Sequence, residues 1–262
     1  MSTSPRSGFS LVELSIVLVI LGLLVGGILT GQALMRAAEI RKIATSSERI
    51  NSGAHAFRDK YLGLPGDLKN ATQFWGAIHG TQSTCIATAS PDNKATCNGD
   101  GDGYVNKSMA YSDTGYERYH YWLHLANAGL IEGSYTGLTA TTGAFGPATG
   151  VNQPETGVSN SSWYAASVNV DARNNAHPNY FARQYAYAMQ LGLSANGQKI
   201  LLPEEAWNID SKLDDGSPVT GRVFSYKTTG TWHPNCTTSD TVTATYNMAV
   251  KDRVCNVDIG IQ

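Results

Sequence analysis

GFSLVELSIVLVILGLLVGG, residues 8–27, decides how the rest of the chain is read. From Phe9 to Leu29 the residues are apolar or small, with one acid among them, Glu13. That run covers 21 residues. At about 1.5 Å per residue a helix of that length spans roughly 31 Å, one hydrocarbon core. A secretory signal peptide would have a shorter apolar core, about 7–15 residues, followed by an A-x-A-like cleavage site. Here the run is longer, and the sequence after it, TGQALMRAAEIRKIATSSERI, has neither a proline nor a clear small-residue site. The helical pattern continues instead. Ile43, Ser47, Ile50, Ala54, Phe57 and Tyr61 recur at three- and four-residue steps on one face, with Arg41, Glu48, Arg49 and Arg58 largely elsewhere. LGLPGD, with Pro65 and Gly66, is the first strong stop. The pattern predicts one helix from about Phe9 to Leu62. Its first half (9–29) suits a membrane and its second half suits the surface of a globular domain.

Glu13 needs an explanation. A charge at the centre of a bilayer helix costs about 2.5–3.5 kcal/mol on insertion scales, less near the end, and a buried carboxylate still needs a partner. No Lys or Arg follows until Arg36. A new α-amino group, made by cutting before Phe9, would serve, either in the same chain or on a neighbouring subunit. GFSLVELSIVLVILGLL resembles the N-terminus of the type IV prepilin class, which comprises type IV pilins and type II secretion pseudopilins. The shared features are a short polar leader ending in Gly8, then Phe9, Glu as the fifth mature residue, and the apolar run.

The resemblance implies a leader at 1–8, removed by a prepilin peptidase that cuts between Gly8 and Phe9 and N-methylates Phe9. It implies a single-pass inner-membrane anchor with the N-terminus cytoplasmic and the globular domain, 63–262, periplasmic. Assembly with other pilin or pseudopilin subunits on an inner-membrane platform would follow, into a type IV pilus or a type II secretion pseudopilus. There Glu13 would meet the N-terminal amine of an adjacent subunit. The fold expected is α+β and pilin-like: a long N-terminal helix packed on a globular domain with an antiparallel sheet and extra helices. One departure stands out. Many members of the class carry a proline partway along the mature helix, where this chain reads GGILTG. Gly22, Gly26, Gly27 and Gly31 permit close helix packing but lower helix propensity, so Gly26–Gly31 is the expected weak point.

Composition agrees with an exported chain. Charged residues are only 15% and Gly, Ser, Thr and Asn are abundant, as on a loop-rich extracytoplasmic surface. A formal charge of −2 and no basic stripe exclude a nucleic-acid footprint. Positive charges flank the span on both sides, Arg6 before it and Arg36, Arg41 and Lys42 after it, so charge alone does not orient it. The four cysteines fall into two local groups, Cys85 with Cys97 and Cys236 with Cys255. Three pairings are open from sequence, and the two local disulfides are expected if the domain is exported.

Beyond Gly63, DLKNATQFWG reads as a short helix capped near Asp67 or Asn70. ERYHYWLHLANAGLIEGSY reads as a helix from about Tyr116 to Ala128 with Gly129 as its C-cap and Trp122, Leu125 and Ala126 inward. Residues 134–160 form a long connection of low hydrophobicity. YFARQYAYAMQL alternates as a strand, and GRVFSYKT and TVTATYNMAV read as later strands. LLPEEAWNIDSKLDDG is a helix with Pro203 at its start, Ala206, Ile209 and Leu213 on one face, and Gly216 as stop. YLGLPGDLKNATQFWG, CNGDGDGYV, WLHLANAGLIEGSY and PEEAWNIDSKLDDG are also similar to phrases in a group of larger prepilin-type proteins.

NGDGDG is the candidate metal site. Asn98, Asp100 and Asp102 alternate and Gly103 follows, as in the first half of a calcium loop, with the Tyr104 carbonyl next. Met109 stands where that loop's bidentate Glu belongs, and Glu117 is the substitute from a distance. Calcium loops among pseudopilins support this reading, and a plain Asx/Gly turn tied by Cys85–Cys97 is the alternative. Glu117, His120 and His124 share a helical face. Histidines at i and i+4 suit zinc, but with no third convincing ligand they read as surface polar residues beside Trp122. Asp210, Lys212, Asp214 and Asp215 read as a solvated helix end, with a second cation site as the alternative. No nucleophile elbow, P-loop, Rossmann pattern or H-E-x-x-H occurs, so no enzyme is expected. The competing function is a membrane-anchored, calcium-dependent extracytoplasmic binding domain that does not polymerise.

Overall fold

The computed structural model describes residues 8, 10–81, 85, 88–105, 116–138, 148–158, 161–168, 185–191, 199–225, 235–239, 241 and 243–261. The chain divides into two compact units, Met1–Arg41 and Lys42–Gln262. Helix α1, Leu11–Tyr61, runs through the boundary as 51 residues without a break, including Gly26–Gly31. Within that stretch the Thr30 hydroxyl donates to the Gly26 carbonyl at 2.9 Å.

In the first unit, Leu11–Leu29 is exposed all round, and an 18-residue window of α1 has a mean hydropathy of 2.6. A helix this apolar with nothing over it belongs in lipid or against other helices. The Arg36–Glu39 ion pair, 2.8 Å apart, follows the apolar run.

The second unit begins on the amphipathic half of α1. Ile43, Ser47, Ile50, Gly53, Ala54 and Phe57 are buried, the face predicted from spacing with Gly53 added, while Tyr61 at its end is half-buried. Gly53 is on that face because the Leu130 carbonyl comes so near that a Cβ would sit 3.3 Å from it. Leu62, with φ 57, ends the helix just before Pro65 and Gly66. Helix α2, Ala71–Trp75, is short, and α3, Tyr116–Asn127, is nearly wholly buried. α3 closes as a Schellman motif: Leu130 N–H donates to the Leu125 carbonyl (3.0 Å), Gly129 N–H to that of Ala126 (2.9 Å), and Gly129 has φ 71. Ala126 is half-buried, while Trp122 and Leu125 lie fully in the core.

The sheet contains β1 (Trp163–Val168), β2 (Tyr185–Leu191), β3 (Val223–Phe224) and β4 (Asp258–Ile261), all antiparallel, in the order β1-β2-β4-β3. The C-terminal strand is thus internal, pairing Met189 with Ile259 on one side and Val223 with Ile259 on the other. β1 has no counterpart in the sequence reading, and residues 180–184 of the predicted β2 lie outside the described residues. Helix α4, Pro203–Leu213, has proline in its first turn, and the Glu205 carboxylate accepts the Leu202 N–H at 2.9 Å. Ala206 and Ile209 are buried and Leu213 is half-buried. α3 packs on β1 and α4 on β3.

Both local disulfides are formed, Cys85–Cys97 and Cys236–Cys255. The reading of TVTATYNMAV as a strand is corrected. Among its described residues, which leave out Val242, that segment is a turn-rich loop with one bridge, Thr237 to Tyr246, and not a strand. Its β-branched residues imitate a strand pattern. However, Ala244 N–H closes a turn on the Thr241 carbonyl, and the Ser239, Thr241 and Thr243 hydroxyls bond to one another. Local side-chain bonds of this kind compete with a ladder.

Candidate processing and metal sites

Ser10 is the residue just before helix α1 and caps it. Its carbonyl accepts the first intrahelical bond, from Leu14 N–H at 3.1 Å, while Ser10 itself is not helical. The Ser10 hydroxyl oxygen accepts the Val12 N–H at 3.3 Å, and the Glu13 carboxylate accepts the Ser10 N–H at 2.8 Å. Ser10 thus caps α1 through the N–H of Val12, the second helical residue, and Glu13, the third, returns the carboxylate half of a capping box. Glu13 is thus engaged by its own helix start, a role the charge argument overlooked although the spacing S-x-x-E was readable. Gly8 is described as non-helical and exposed, and Phe9 lies outside the described residues.

Residues 3–29 match the family model for the prokaryotic N-terminal methylation motif. The chain carries a prepilin-type N-terminus. No curated protein and no solved structure matches it. The prepilin-type motif accounts for a polar leader, Phe9 after Gly8, and a membrane-capable helix carrying an acid in its first turn.

The second site lies in the globular unit. Asp67, between the end of α1 and α2, is 3% exposed. Its Oδ1 accepts N–H bonds from Gly101 (2.5 Å) and Asp102 (3.2 Å), and its Oδ2 accepts one from Gly103 (2.9 Å). Three successive loop amides thus turn inward around one carboxylate, a backbone nest. Gly99 N–H reaches the Leu68 carbonyl at 2.9 Å, and a Cβ at Gly99 would fall 2.3 Å from the Asp67 carbonyl carbon. That contact explains the glycine. The loop's other acids form Asx turns: Asp100 Oδ1 accepts the Asp102 N–H (3.0 Å), and Asp102 Oδ1 the Tyr104 N–H (2.9 Å).

Carboxylate oxygens of Asp67, Asp100 and Glu117 lie within 4.8 Å of one another. Glu117, from the first turn of α3, also accepts the Asp100 N–H at 3.2 Å. Two of the expected ligands, Asp100 and Glu117, are therefore brought together, and Asp67, which the sequence reading did not name as a ligand, joins them. Asn98 is committed elsewhere: its Oδ1 accepts the Thr72 N–H at 2.9 Å and caps α2. Asn70 holds the N-cap position of α2, one of the two expected, but its own side chain makes no cap bond and Asn98 supplies it. Burial pushes the Asp67 carboxyl up to about 6, against the lowering effect of the Gly103 and Gly101 bonds, with the Asp102 and Asp100 charges adding to the rise.

Glu117, His120 and His124 are all buried, which corrects the reading of that face as surface. His124 Nδ1 accepts the Gly66 N–H (2.9 Å), so Nε2 carries the proton and donates to Thr96 Oγ1 (2.7 Å). With both nitrogens used, this ring ties three segments together and leaves no lone pair for zinc. Phe57 and Trp75 stack on it at centroid distances of 6.1 and 5.2 Å. Burial, with a smaller contribution from His120, holds its pKa well below the ordinary imidazole value.

The helix end at Asp210, Asp214 and Asp215 is likewise more than a solvated turn. Asp210 is fully buried, accepting the Tyr246 O–H (2.7 Å) on Oδ2 and the Gly216 N–H (3.0 Å) on Oδ1. Burial raises its pKa to about 7, with Asp215 and Asp214 adding to the rise. A carboxyl raised above its unfolded value of 3.8 adds stability while protonated and loses it as pH rises through about 7. Asp210→Asn should therefore gain stability relative to wild type progressively from pH 4 to pH 8, measured by urea unfolding at each pH. Comparison at equal pH cancels His124, which acts in the opposite sense below pH 6.5.

Proposed function

We propose that this protein is a pilin-like structural subunit. It is made as a prepilin, cut between Gly8 and Phe9, N-methylated on Phe9, and assembled into a type IV pilus or a type II secretion pseudopilus. The match of residues 3–29 to the methylation motif carries the reading. The uncovered apolar half of α1 supports it, because lipid and a bundle of neighbouring helices are both apolar surroundings for such a surface. In the membrane the globular unit faces the periplasm. In the filament the same helix packs among its copies by a heterologous operation that does not close, so growth continues. Glu13 then meets the amine of an adjacent subunit, a desolvated pair that sets register more than it adds stability. The subunit's work is mechanical and its outer domain is what it presents.

Mass spectrometry of the native N-terminus tests processing: N-methyl-Phe at residue 9 is expected. An intact Met1 would favour the anchored, non-polymerising binding domain instead.

Calcium is part of this proposal, on a revised ligand set. Asp67, Asp100 and Glu117 offer hard carboxylate oxygens, the donor chemistry that calcium takes with further oxygens from backbone or water. Carboxylates this close repel one another, which a divalent cation would relieve. Millimolar calcium should raise the domain's melting temperature over chelator by several degrees, and Glu117→Gln should remove that difference. Identical melting curves in calcium and chelator would retire the metal.

A further inference from the structure

We infer that Ser10 is a positioning residue for leader removal: by capping α1 it sets the start of the helix on the mature side of the Gly8–Phe9 bond. The inference rests on the processing reading above. Three observations place the helix boundary at Ser10: its carbonyl accepts the first helical bond from Leu14, its hydroxyl accepts the Val12 N–H, and its own N–H is held by Glu13. Gly8, on the leader side, is non-helical. In the processing step water adds across the Gly8–Phe9 amide, Gly8 leaving as a carboxylate and Phe9 as an amine. An enzyme can reach that carbonyl only where the backbone is not already wound into a helix. The next upstream residue of N-cap type is Ser7. A helix begun there would enclose the scissile bond in its first turn. The capping box at Ser10 and Glu13 competes against that register. Because Ser10 and Glu13 both stay with the mature chain, the same cap serves the helix before and after cleavage.

The test uses the full-length chain in membrane vesicles with purified prepilin peptidase, reading the rate of leader release. A helix that encloses the bond part of the time lowers the competent fraction of substrate, which raises KM and leaves kcat alone. Ser10→Ala should raise KM about five-fold, equivalent to ~1 kcal/mol at 1.4 kcal/mol per factor of ten. Ser10→Thr and Ser10→Gly should stay within about two-fold of wild type, because threonine caps through its hydroxyl and glycine caps almost as well without one. Glu13→Gln, which completes a capping box without charge, should also process normally. If Ser10→Ala matches wild type, or if Ser10→Gly is as impaired as Ser10→Ala, the cap does not position the bond and the inference is overturned. The second outcome would mean that the enzyme reads the hydroxyl itself. A wild-type chain that is never cut overturns the inference and the processing reading together, whereas a cut wild type with an unaffected alanine variant overturns the inference alone.

Discussion

Glu13→Ala should abolish incorporation into filaments while the leader is still removed to completion. The acid lies near the start of a helix whose next 16 positions to Leu29 carry no further charge. In the monomer the Ser10 amide engages it. In the proposed polymer of packed α1 helices, the amine created on Phe9 by cleavage would enter the same dry layer. Removing one partner of a buried pair leaves the other uncompensated, at a cost of about 3–5 kcal/mol. That cost recurs at every subunit joint, so a polymer amplifies it. Incorporation should fall by at least about a hundred-fold, the factor that ~3 kcal/mol represents. The measurement is the amount of subunit in sheared filaments against the amount processed in the membrane, with Glu13→Gln as the companion that keeps the helix cap but not the charge. Wild-type filament levels for both variants would remove Glu13 from the assembly mechanism.

Gly66→Ala should be the most damaging single change in the globular unit. Gly66 has φ +84, in the left-handed region, and a Cβ there would stand 2.3 Å from the Glu117 carbonyl oxygen and 3.1 Å from the Tyr121 nitrogen. Both are backbone atoms of α3, a helix buried on nearly all sides, so relief requires moving a whole element. The Gly66 N–H is also the donor to His124, and the next residue is Asp67, around which the 101–103 amides wrap. Strain and lost packing together should cost about 3 kcal/mol or more. For a unit of this size that is a melting-temperature drop of roughly 6–12 °C. A thermal scan of the full-length chain in detergent checks it, and a drop under about 2 °C would mean that α3 is free to shift.

Local signals explain what was readable in advance. The course of α1 and its buried face follow from a 3.6-residue period sustained over many turns. The Schellman end of α3 follows from Gly129, and the start of α4 from Pro203. The two disulfides follow from short separations, 12 and 19 residues, that favour near partners. Where the sequence misled, the deciding contact came from far along the chain. Asp67 looked like a cap for α2, but it binds amides 34 to 36 residues away, and the cap comes from Asn98, 26 residues on. His120, His124 and Glu117 looked like a polar surface stripe because nothing nearby in sequence signals that Gly66, Thr96 and the carboxylate loop close over them.

The N-terminal half of α1 therefore needs no partner to be recognised. Its length, its lack of charge and its single acid after a glycine–phenylalanine step are properties of consecutive residues, and a helix expresses consecutive residues directly. The carboxylate cluster, the internal position of β4 and the burial of His124 are of a different kind. Each depends on which distant segment supplies an amide or a carbonyl, and only the folded chain satisfies those buried polar groups one by one.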